Sequence, residues 1–136
     1  MKKVISIKYS AAAFNFSMFF LRLVFGLLII IKHGYVKLRD FSTIQDHFYN
    51  FLGLGMKTSL ALSIFAEVLC ALFVILGLFT RLATIPLIIT MLVAIFGAMA
   101  AKPLLEAELA ILYLAAYVGI LLCGPGKISI DAMMTK

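Results

Sequence analysis

Residues 20–37 read FLRLVFGLLIIIKHGYVK. The run is apolar almost throughout, yet Arg22 lies inside it and Lys32-His33-Gly34 closes it. Burying this run in a water-soluble core would need a chain rich in polar residues to cover it. This chain is not. Hydrophobic residues make up 65% of its 136 residues and charged residues 13%, against roughly 45–50% and about 25% in soluble domains. The expected solvent is therefore a lipid bilayer.

Working outward from that stretch, the charge map divides the chain. From Ala11 to Ile31 the only charge is Arg22, and from Thr58 to Thr80 it is Glu67. Leu82 to Ala101 and Leu109 to Gly126 carry none. A crossing helix needs about 20 apolar residues, so the pattern predicts four spans at approximately 14–33, 58–76, 82–100 and 105–122. The runs LVFGLLIII and LIITMLVAIF do not alternate as barrel strands do. The expected fold is all-α: a polytopic membrane protein of one domain, residues 1–136, forming an antiparallel four-transmembrane-helix bundle. The basic start followed by an apolar run resembles a signal peptide, but no small-x-small cleavage site follows it, so a retained first helix is expected.

Between the first two spans, Phe41, Ile44, Phe48 and Phe51/Leu52 recur at helical spacing, with Asp46, His47 and Asn50 facing away. That predicts a short helix lying in the membrane interface. Gly77 suits the left-handed end of the second span, and Thr80 can cap the third. Gly124-Pro125-Gly126 stops the fourth. The net charge of +6 is explained by basic residues at span ends. Counted over the loops, it leans toward cytoplasmic termini. No aromatic-interleaved basic patch points to nucleic acid.

A charge in hydrocarbon needs a partner. Arg22 and Glu67 are the two charges well inside spans, and their depths, roughly 12 and 20 Å from the terminal side at 1.5 Å per residue, predict a buried Arg22–Glu67 ion pair. The pair reads either as a structural pin or as the polar floor of a pocket. In the second reading, Ser63, Cys70, Tyr113 and Tyr117 form the wall. His33, Lys37 and Glu106 then form the mouth. Against this stand plainer roles: Glu106 and Glu108 as partners of a helix N-terminus, His33 as an interfacial residue, and His47 as the polar face of the interfacial helix. The small stripe Thr90, Ala94, Gly97, Ala101 reads as packing. Cys70 and Cys123 have no CxxC spacing, the histidines are not mid-span, and no carboxylate–histidine cluster suggests a metal. No cofactor is evident from the residues.

HGYVK (33–37), FLGLG (51–55), AEVLCALFVILGLFTR (66–81) and GPGKISID (124–131) together resemble the DoxX family of small four-helix bacterial membrane proteins. The resemblance preserves order and spacing over nearly the whole chain. It marks Arg22, His33, Gly34, Lys37, Glu67, Arg81, Gly124, Pro125, Gly126 and Asp131 as motif positions, without a catalytic set. It implies a bacterial inner-membrane protein. Some relatives are associated with oxidoreductase systems, including a thiosulfate:quinone oxidoreductase and oxidative-stress complexes. Three functions stay open: a membrane subunit or accessory of a quinone-linked oxidoreductase, a small transporter or lipid-handling protein, and a scaffold without catalysis. Expected partners are the bilayer, a redox-enzyme subunit and further copies of the chain.

Overall fold

The computed structural model describes residues 5–98, 101 and 107–135, and these contain helices and no strand. Helix α1 (Ala11–Arg39), α3 (Met56–Leu76) and α4 (Thr80–Gly97) are long and apolar enough to cross a membrane. A fourth apolar helix, α5 (Glu108–Cys123), has 16 residues. The described residues also include two short α-helices, α2 (Phe41–Ile44) between α1 and α3 and α6 (Ile130–Met134) after α5, and a 3-10 turn, Phe51–Gly53, before α3.

Helix α1 is longer than the expected 14–33 at both ends. Ser10 caps it, its hydroxyl accepting from Ala13 N at 3.1 Å, so the helix begins at Ala11. At the other end Gly34 keeps helical backbone angles and serves close approach instead of ending the helix. A Cβ there would come within 2.6 Å of Val68 Cγ2 and 2.9 Å of the Glu67 carbonyl oxygen. Gly26, eight residues earlier on the same face, meets Ile75 in the same way. The two glycines let the backbones of α1 and α3 lie almost in contact, in one antiparallel register. That register brings Lys37 level with Ser63 and Glu67, and Arg22 level with Val74 and Ile75.

Between α1 and α3, the expected interfacial helix is reduced to the single turn α2. Of the positions expected to face inward, Phe41, Ile44, Phe48 and Phe51 are half-buried, while Leu52 is 80% exposed. After Ile44, however, Phe48 turns inward from irregular chain and Phe51 from a separate 3-10 turn, Phe51–Gly53, and not from one continuous helix face. Leu52, Gly53 and Gly55 all have positive φ, and these residues turn the chain into α3.

Gly77 is left-handed (φ 73°) as expected. Thr80 does not cap α4. The residue before the helix is Phe79, itself at φ 47°, and the capping acceptor arrives from far along the chain. Asp131 takes hydrogen bonds from Phe79 N at 2.7 Å and Thr80 N at 2.9 Å. A carboxylate at a helix N-terminus meets both the free N–H groups and the positive end of the dipole. Gly124, at φ 83°, ends α5, and the C-terminal segment then folds back over the ends of α1, α3 and α4. Lys127 N donates to Asn15 Oδ1 at 3.0 Å and Asp131 N to the Gly77 carbonyl at 2.8 Å.

Helix α5 packs on α1 through aromatic rings. Tyr117 donates to the Phe25 carbonyl at 3.1 Å. Tyr113 meets Phe25 and His33 edge-on, with centroids 5.9 and 5.7 Å away, and stacks on Tyr117.

Candidate functional site

The expected Arg22–Glu67 pair does not form. Arg22 is fully buried, and its guanidinium runs toward the end of α3. It donates to the carbonyls of Val74 (3.2 Å), Ile75 (3.1 Å) and Ile128. The last turn of a helix has carbonyls without intrahelical partners and carries the negative end of the dipole. Such acceptors attract a cation without another formal charge. Val74 lies seven residues beyond Glu67, roughly 10 Å along the helix axis at 1.5 Å per residue. The nearer acceptors therefore hold Arg22, with the Asp131 carboxylate close enough to act on it electrostatically.

Glu67 has a different partner. Lys37, in the last turns of α1, places Nζ 2.8 Å from Glu67 Oε1 and 2.8 Å from Ser63 Oγ. Side-chain exposure is 3% for Glu67 and 21% for Lys37. The lysine stem lies in the protein and its ammonium reaches back toward the buried carboxylate. On its other side that ammonium sits over the Phe48 ring, 5.2 Å from the centroid, a cation–π contact. Lys37 thus ties α1, α3 and the loop after α2 together at one atom.

The pair lies at a cavity of about 490 Å³ formed by α3, α4 and that loop. Its polar residues are Lys37, His47, Tyr49, Ser59, Ser63, Glu67 and Thr90. The remaining wall is mostly apolar, supplied by Phe48, Phe51, Leu62, Pro86 and neighbours on α4. Most polar groups around it already have partners. Thr90 donates to the Pro86 carbonyl at 2.8 Å, while Ser59 Oγ donates to the Gly55 carbonyl and accepts from Phe51 N. Glu67 Oε2 is buried and has no hydrogen-bond partner among the described residues.

The backbone around the pair also departs from a regular α-helix. Over Ile30–Gly34 and Phe65–Cys70 the hydrogen-bond ladder widens to five residues, with Tyr35 N bonded to the Ile30 carbonyl and Ala71 N to that of Ala66. A third wide turn covers Ala94–Ala98 on the cavity's other side. Single π-turns of this kind are frequent at functional sites. Here the first two contain Gly34 and Glu67, the point where α1 and α3 come closest.

Of the residues expected around the pocket, Lys37, Ser63 and Glu67 come together, and Lys37 is part of the pair itself. Cys70, Tyr113 and Tyr117 are buried in the apolar core and do not line the cavity. His33 rests against Tyr113. The expected cavity between α1, α3 and α5 is filled, because Gly26 and Gly34 close the first gap and stacked rings close the other. Glu106 falls outside the described residues. Space opens instead on the α4 side, where Thr90 and Ala94 form part of the cavity wall, correcting their reading as packing alone. Gly97 leaves room for Tyr49, whose hydroxyl would be 2.7 Å from a Cβ at that position. Phe48, Tyr49 and Pro86 were missed. The half-buried periodicity at Phe48 was the one available signal.

The other motif positions gather at the opposite end. Arg81 lies over Gly124, so close that a Cβ on Gly124 would be 3.0 Å from its guanidinium. Asp131 caps α4 nearby, and a shallow groove lined by Arg81, Pro125, Gly126 and Asp131 runs beside it. These residues join the C-terminal segment to the helix ends.

The chain matches no curated protein and no solved structure at a significant level. Residues 17–100, more than half of the chain, match the DoxX family. The matched segment contains both poles of the α1–α3 seam, Arg22 at one end and Lys37 with Glu67 at the other. With its apolar helices, this is an integral membrane protein, and it belongs to the DoxX family.

Proposed function

We propose that α1, α3, α4 and α5 all cross the bacterial cytoplasmic membrane as an antiparallel bundle with cytoplasmic termini. In this reading the protein is a membrane subunit or accessory of a quinone-linked oxidoreductase. It holds a lipophilic ligand, of the quinone class, in the cavity at Lys37 and Glu67. One observation carries the reading: a buried ion pair with an unpartnered carboxylate oxygen borders a largely apolar cavity of about 490 Å³. That size lies within the usual range for small-molecule sites, roughly 300–1,000 Å³, and the mix of apolar walls with few polar groups is also usual for them. Intramembrane ionisable residues mark functional sites by default. Both terminal guanidinium nitrogens of Arg22 donate to backbone carbonyls at the helix end, while its Nε has no partner among the described residues, and Arg22 is assigned a structural role.

The test is native mass spectrometry of the gently extracted protein, with an absorbance spectrum of the same sample. The expected result is a bound quinone or a co-purifying redox subunit in wild type, lost in Glu67→Gln and kept in Cys70→Ala. Wild type and Glu67→Gln carrying only the same ordinary lipids would refute the reading and favour a scaffold.

A further inference from the structure

We infer that the cavity selects a lipophilic ligand by a hydroxyl group, and so takes the reduced, hydroquinone form in preference to the oxidised quinone. The inference rests on the ligand-binding reading above and adds the redox form of the ligand.

The argument is a count of donors and acceptors. Lys37 has three N–H donors; one goes to Glu67 Oε1, one to Ser63 Oγ, and the ammonium also faces the Phe48 ring. Thr90 and Ser59 spend their protons on backbone carbonyls. Two capacities remain on the α3 face beside the pair. Glu67 Oε2 is an acceptor with no partner. Ser63 Oγ accepts from Lys37 and, among the described residues, donates to nothing. Ser63 and Glu67 are four residues apart, one above the other on the same helix face.

A ligand hydroxyl satisfies both at once, donating to Glu67 Oε2 and accepting from Ser63. A quinone carbonyl can only accept. It would engage Ser63, leave Oε2 unpaired, and set its own lone pairs against the carboxylate. Sites built around a ligand hydroxyl reject analogues that lack it, because the buried protein group is then stranded. The surrounding side chains of Phe48, Phe51 and Leu62 offer the carboxylate no donor of their own. Only binding is invoked; no electron or proton is transferred.

The experiment measures binding of decylubiquinol and decylubiquinone to the full-length protein in nanodiscs, under argon, by equilibrium dialysis. Decylubiquinol is expected to bind about tenfold more tightly, toward the lower end of what an unmet buried acceptor is worth. In Glu67→Gln the carboxylate acceptor is gone, so decylubiquinol binding should weaken and its preference over decylubiquinone should vanish. Equal affinity of wild type for the two forms, or tighter binding of the quinone, would overturn the selectivity and leave the ligand-binding reading standing. Binding of neither form would overturn both. Because the wild-type comparison decides the matter, it holds even where Glu67→Gln folds poorly.

Discussion

Replacing Lys37 by methionine should be the most damaging single change at the site. The ammonium holds Glu67 Oε1 and Ser63 Oγ at 2.8 Å each, and Glu67 is 3% exposed. Without Lys37, a carboxylate whose second oxygen already lacks a partner would have none for either. Removing one member of a buried pair destabilises by about 3–5 kcal/mol, and Lys37→Met should fall in that range. Glu67→Met is expected to do less harm, about 2 kcal/mol, because Lys37 is 21% exposed and its flexible stem can carry the ammonium out to the headgroups. The double variant removes both charges and leaves apolar side chains of similar volume, so it should lie within about 1 kcal/mol of wild type. Midpoints of SDS-induced unfolding in mixed micelles, read by circular dichroism, give all four corners of the cycle. A double variant destabilised by the sum of the singles would refute the pairing. So would a Glu67→Met loss larger than that of Lys37→Met, which would contradict the burial asymmetry.

Arg22→Met should destabilise by about 2 kcal/mol, since the carbonyls of Ile75 and Ile128 lose the guanidinium donor while that of Val74 keeps the Gly77 N–H. Arg22→Lys should recover less than half of that in the same unfolding assay, because the compact ammonium lacks the reach and planar spread with which two guanidinium nitrogens meet carbonyls on separate segments. Gly34→Ala puts a methyl 2.9 Å from the Glu67 carbonyl oxygen, backbone that cannot step aside, and should lower stability by about 1–3 kcal/mol. Gly119→Ala, with open space around the new Cβ, should be neutral or slightly stabilising on the same thermal-shift plate. Asp131→Ala removes both capping bonds of α4 and should cost about 1–2 kcal/mol. Hydrogen exchange should then accelerate at the Phe79 and Thr80 amides, and unchanged protection there would contradict the capping role.

Composition and charge spacing were enough to establish a helical membrane protein, because the cost of a bare backbone or charge in hydrocarbon leaves few alternatives. They also singled out Arg22 and Glu67 as residues needing partners, Lys37 as a residue at a pocket mouth, and Gly77 as a helix end. Periodicity identified the half-buried positions Phe41, Ile44, Phe48 and Phe51, but not the break in the helix that separates the last two from the first two. What sequence could not supply was pairing. Depth along a span placed Arg22 and Glu67 within about one side-chain length of each other, and formal charges were the only partners visible in a string of letters. The carbonyls at the end of α3 are acceptors that no residue letter records. They became available to Arg22 only once Gly26 and Gly34 had brought the two backbones into one register. The same register set Lys37 beside Glu67. Closing the seam between α1 and α3 left the remaining space on the α4 side, and there the tertiary structure alone decided where a ligand could fit.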